Sequence, residues 1–221
     1  MTNLNDDYSG IEIHAEESSS YVPAPAGTHV DRCVTFNQLG TQKQEYKGIP
    51  GKDRMKIVLG WELPEELQVF DEAKGEQPFY ITNTYSLVLG EKSTFKLHME
   101  SWTKGKINRE FNPLTMLGVP FQLVIEHKPK STDVTKITAK VTGVAAMTKN
   151  QICPEQVNPK KVLLFARWNQ ELFDKQPDWI RKAIEASPEY KALGTPGDKQ
   201  GVFQKKIPPV IEGLNSDGLP F

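Results

Sequence analysis

Residues 52–63 alternate well between apolar and polar side chains. Met55, Ile57, Leu59, Trp61 and Leu63 fall on one side, and Lys52, Arg54, Lys56 and Glu62 on the other. A period of two held this long is the mark of a β-strand with one buried and one wet face. Pro64, which offers no N–H to a ladder, is expected to stop it. Before it, residues 29–39 mix β-branched and polar side chains up to Gly40, and the turn formers of residues 40–51 read as a loop. After it, Phe79, Ile81, Tyr85, Leu87 and Leu89 share one face, and Tyr80, Thr82, Thr84 and Ser86 the other. Three such runs at the start of a chain demand a sheet.

The period then changes. Ser93 is placed to cap a helix over residues 94–103, in which Phe95, Met99 and Trp102 recur at helical spacing and Gly105 provides the stop. Trp102 is read as core. Asn112-Pro113 opens a short turn that Gly118 closes. Two further strand-like runs, 119–128 and 134–147, are joined by a loop containing lysine and proline. Three strands, a helical segment and two strands is the order of an OB-fold: mainly β, a five-stranded Greek-key barrel with its helix between strands 3 and 4. That barrel is expected over residues 27–150. Residues 151–194 read as a strand/helix appendage packed on it. The appendage contains an apolar run over 162–165 and a helix starting at Pro177, with Trp179, Ile180, Ala183 and Ile184 on its inner side. Residues 1–26, with Ser18-Ser19-Ser20 and Pro23-Ala24-Pro25, read as a flexible acidic arm pinned by Tyr21 and Val22. Residues 195–221, rich in Gly and Pro, read as a flexible tail.

Charge is unevenly spread. Residues 1–26 carry −5 with no Lys or Arg, residues 27–149 carry 17 basic and 14 acidic side chains, and residues 150–221 carry +1. Cys33 and Cys153 form neither a CxxC pair nor a disulfide framework, which fits a reducing compartment. No apolar run approaches the roughly 20 residues of a membrane span, and the N-terminus lacks an apolar signal core. The expectation is a soluble cytoplasmic protein that does not engage a membrane.

Catalytic constellations are missing from the pattern. His14, His29, His98 and His127 are scattered without metal-ligand spacing, Gly48-Ile-Pro-Gly-Lys52 lacks the spacing of a phosphate loop, and there is no Gly-x-Ser-x-Gly elbow. No enzyme activity, metal or cofactor is expected. Binding is better supported. Lys52, Arg54 and Lys56 project from one strand face about 6.6 Å apart, close to the phosphate spacing of an extended single strand. A row of like charges is complemented by a polyanion, although a merely solvated face fits the spacing equally well. Lys43, Tyr46 and Lys47 add charge and a ring in the preceding loop, and Tyr80 lies on the outward face of the third strand. Lys128 and Lys130 flank the loop between the last two strands. Phe36 is either a further stacking ring or core.

Gly40-Thr-Gln, Tyr46-Lys-Gly, the stretch from Arg54 to Trp61-Glu-Leu, Tyr85-Ser-Leu, and Ser93 through Glu100-Ser-Trp102 together resemble phage-encoded OB-fold single-stranded DNA-binding proteins. Leu117-Gly118 and Val141-Thr-Gly-Val144 extend the resemblance across residues 27–150. It implies coating of transient single strands, without strong sequence preference, during phage DNA replication and recombination in the host cytoplasm. The end of the chain, Ser216-Asp-Gly-Leu-Pro-Phe221, is similar to the tip of bacterial single-stranded DNA-binding proteins. This implies docking of replication or recombination proteins by Leu219, Pro220 and Phe221, although Asp217 is the only acid near this tip. The competing expectation is an OB-fold that docks protein in a phage assembly and binds no nucleic acid.

Overall fold

The computed structural model describes residues 21–130 and 133–194. The chain forms β1 (Gly27–Tyr46), β2 (Ile49–Asp71), β3 (Gly75–Ser86), α1 (Thr94–Thr103), a 3-10 turn (Pro113–Met116), β4 (Pro120–Lys130) and β5 (Asp133–Ala145). A short β6 (Lys161–Leu163) follows, then α2 (Gln170–Asp174), α3 (Asp178–Ala186) and α4 (Pro188–Ala192). The first five strands lie in the antiparallel order β3-β2-β1-β4-β5, and β3 comes back against β5. The result is a nearly closed five-stranded barrel of OB-fold topology, with its helix between β3 and β4 as the order of elements predicts. β6 pairs in parallel with residues 35–37 of β1, beyond the stretch of β1 that β4 occupies.

Two strands are longer than the sequence suggests. Residues 40–51 form no open loop: β1 and β2 continue as a paired arm to Tyr46 opposite Ile49, and Lys47 and Gly48 make the turn, with φ of 52° and 78°. Two positive φ values match the tight hairpin turn whose twist suits flanking strands. Pro64 does not end β2 either. The ladder steps from Leu63–Phe79 directly to Leu67–Pro78, so residues 64–66 bulge out of register and the proline need donate nothing.

The inward faces obey the period of two. Ile57, Leu59, Trp61 and Leu63 are fully buried, together with Phe36, Ile81, Tyr85, Phe121, Leu123 and Ile125. Helix α1 closes one end of the barrel with Phe95, Met99 and Trp102. The Trp102 ring lies 4.1 Å from Phe121, centroid to centroid, so the core reading holds for both Trp102 and Phe36. Ser93 caps this helix by accepting from the Lys96 amide at 3.3 Å. Lys104, with φ 54°, makes the left-handed exit expected of Gly105.

The outward face of β2 departs from expectation. Val58 joins Leu39, Leu163, Phe165, Phe173, Ile180, Ile184 and Leu193 in a second core, which the C-terminal helices form against the outside of the barrel. Apolar burial of about 25 cal/mol per Å² drives this docking. Trp179, predicted to face inward, is instead 48% exposed. Gly40 permits the contact: its φ is 78°, and a Cβ there would overlap Ser187. Next to it, the Thr41 amide donates to Glu189 Oε2 at 2.8 Å. The connector before β6 is fastened by two charged side chains. Arg32 donates to the Gly118 and Pro154 carbonyls, both at 2.7 Å. Glu62, fully buried, accepts from the Val157 amide at 2.9 Å and from Asn158 N and Nδ2 at 2.7 and 2.8 Å.

Candidate nucleic-acid interface

With Val58, Gly60 and Glu62 covered, the outside of the β1–β2–β3 sheet remains open in two places. The first lies at the base of the β1–β2 arm. Lys52 and Arg54 are exposed there, and with Lys92, Met55, Leu87, Ser93 and the carboxylate Asp53 they line a recess of about 510 Å³. Lys56 stands next in the same row and is half-buried, before the row passes under the appendage at Val58. Lys43 is exposed on β1, Tyr46 is the last residue of β1 at the tip of the arm, and Lys47 begins its turn. Lys92 was missed by the strand-based reading because it sits in the β3–α1 connection, where no periodicity marks it.

The second opening is a cleft of about 900 Å³ at the other end of β3, walled by the β2–β3 hairpin, the entering chain at residues 21–24, and the connector and helix starts of the appendage. Its rings are Tyr80, Phe70 and Tyr21, which are 47%, 50% and 61% exposed. Phe70 is held edge-on against Phe79 at 5.1 Å. Tyr80 lies across the sheet over Gly60 with its hydroxyl toward Thr35, and burial of that end raises the phenol above its ordinary pKa while the Thr35 contact opposes the shift. The ring is therefore seated by the neighbouring strands, on Gly60 of β2 and Thr35 of β1. Lys161 and Lys175 stand on the cleft wall, Lys175 in an ion pair with Glu171 at 2.6 Å. The Lys130 ammonium sits 5.7 Å over the Tyr21 ring, which brings the β4–β5 hairpin to the same cleft. Lys128 on β4 pairs with Glu126 at 3.1 Å. Phe70 has no mark in the sequence because it lies beyond Pro64, where alternation predicts the strand to stop.

Between the two openings β3 presents Thr82, Thr84 and Ser86, half-buried or exposed, along a strip beside the covering helices. From Tyr80 to Ser86 it spans about 20 Å, or about three extended nucleotides at the strand's own same-face spacing. Leu219, Pro220 and Phe221 lie outside the described residues. Among the described residues no group of three or more His, Cys, Asp or Glu side chains is placed to hold a metal ion, and no helix is long and apolar enough to cross a membrane.

The seat of Tyr80 yields a direct test. A Cβ on Gly60 would overlap the Tyr80 hydroxyl and approach Thr35. Gly60→Ala should therefore tilt the ring off the sheet, and the tyrosine fluorescence of the folded protein should change while the far-ultraviolet circular dichroism spectrum does not.

No protein-family model matches the chain, and no curated protein matches it.

Proposed function

We propose that this protein binds single-stranded DNA without strong sequence preference and carries out no covalent chemistry, in the manner of the phage proteins its sequence resembles. The reading is supported by a cleft with exposed rings at one end of β3 and, at the other, a recess where Lys52, Arg54 and Lys92 stand beside Asp53, with an open strip between. Bases stack on Tyr80 and Phe70, while phosphates run toward Lys56, Arg54, Lys52 and Lys92. Lys43, Tyr46 and Lys47 on the β1–β2 arm, and Lys128 and Lys130 on the β4–β5 hairpin, extend the contact at its two ends. The role that follows is protection of transient single strands during phage replication and recombination, with the tip Leu219, Pro220 and Phe221 available to partner enzymes.

The test is fluorescence anisotropy of a labelled oligo-dT at several salt concentrations, with duplex DNA as competitor. Binding should weaken steeply with salt and resist the duplex. Tyr80→Ala should weaken it roughly 5- to 150-fold, the equivalent of one stacked base at about 1–3 kcal/mol. Replacing Lys52, Arg54 and Lys92 together by alanine should lower the slope of log affinity against log salt by about 2, since each single-strand phosphate contact contributes about 0.7. Absence of binding at low salt would reject the proposal in favour of a protein-docking OB-fold.

A further inference from the structure

We propose that the acidic leader, residues 1–20, docks in the cleft lined by Tyr80 and Phe70 and competes there with single-stranded DNA. The competition rests on the function proposed above; the docking does not. The leader's point of entry is fixed by the barrel. Ala24 is buried, its carbonyl accepts from His127 Nε2 at 2.8 Å, and His29 bridges the Pro25 carbonyl and Glu66, at 3.0 Å to each. The chain therefore enters the described structure at Tyr21, itself a wall of the cleft. Twenty residues can extend up to about 66 Å, several times the width of a 900 Å³ cleft.

Complementarity selects this occupant. The leader carries Asp6, Asp7, Glu12, Glu16 and Glu17 and no Lys or Arg, with Tyr8, Ile11 and Ile13 among them. The cleft offers apolar surface from Val69, Phe70 and Tyr80, beside Lys161, Lys130 over Tyr21, and Lys175, which already pairs with Glu171. An acidic segment with apolar members matches both features. Its tether sets an effective concentration of order millimolar, so weak intrinsic affinity is enough for occupancy. Single-stranded DNA, also an anion with apolar faces, would have to displace it.

The experiment compares three full-length chains. They are the parent, a leader variant (Asp6→Asn, Asp7→Asn, Glu12→Gln, Glu16→Gln, Glu17→Gln), and a charge-matched control in which exposed Glu65, Glu91, Glu110, Glu155 and Glu185 become glutamine. Without nucleic acid and at low salt, amide hydrogen exchange over residues 68–82 should be several-fold faster in the leader variant than in the parent or the control. Oligo-dT should bind the leader variant at least fivefold more tightly than the control, and the advantage should vanish in high salt. Equal exchange in all three chains overturns the proposal, whatever the binding result. Faster exchange with no oligonucleotide binding by any chain upholds docking and overturns the DNA-binding reading. Faster exchange with equal affinities in the leader variant and the control overturns the competition.

Discussion

Glu62→Ala should lower the stability of the whole chain by about 3–5 kcal/mol, measured by urea unfolding. The carboxylate is fully buried and its two oxygens receive three N–H groups from Val157 and Asn158. Alanine leaves those donors facing a void, and an unmade bond to a buried polar group costs far more than a made one contributes. The same contact tethers the connector leading to β6, so the second core around Val58 and Leu163 should loosen with it. Glu62→Gln retains one good acceptor and should lose about 1–3 kcal/mol. A loss below about 1 kcal/mol for the alanine variant would mean that the connector is held chiefly by Arg32.

The second large effect is a dependence of stability on pH. Asp31 has no exposed surface. Burial pushes its pKa from 3.8 up to about 8; the Leu123 backbone N–H opposes the shift, and Glu66 and Glu65 add smaller repulsion. The folded state thus holds a proton that the unfolded chain releases near pH 4. Its stabilisation is complete below that pH and is lost as pH rises toward 8, over a range worth on the order of 5 kcal/mol. His98 acts in the opposite sense: burial lowers its pKa from 6.5, so its contribution is lost as pH falls below that value. The comparison with Asp31→Asn isolates the first effect. The variant should match the parent near pH 4 and exceed it increasingly up to pH 8 in urea unfolding, and parallel curves would refute the assignment.

The barrel was legible because its signals are local. Period two over residues 52–63, the Ser93 cap and the Asn112-Pro113 start each act within a few residues, and the order of elements then limits the topology. What could not be read depended on partners far along the chain. Pro64 looked like a terminator because the bulge that absorbs it is a property of the β2–β3 pair. Glu62 reads as part of a wet face because the connector covering it lies about a hundred residues away, and nothing near Val58 announces the helices that bury it. The candidate site divides along the same line. Lys52, Arg54 and Tyr80 follow from alternation, whereas Phe70, Lys92, Lys161 and Lys175 reach it through a hairpin, a connection and the appendage.

The way β1 is finished also sets the timing of assembly. Its first partners, β2 and β4, follow promptly, yet residues 35–37 pair with β6, and Leu39 is covered by a cluster that ends at Leu193. On a ribosome adding about 5–20 residues per second, the interval between making Leu39 and making Leu193 is roughly 8–30 s. Until β6 is made, an open strand edge and the apolar side chains of Leu39 and Val58 have no cover from their own chain, and the cover is complete only with Leu193. The nascent protein should therefore engage chaperones until α4 emerges, and a message truncated before β6 should release a barrel that pairs with its own copies.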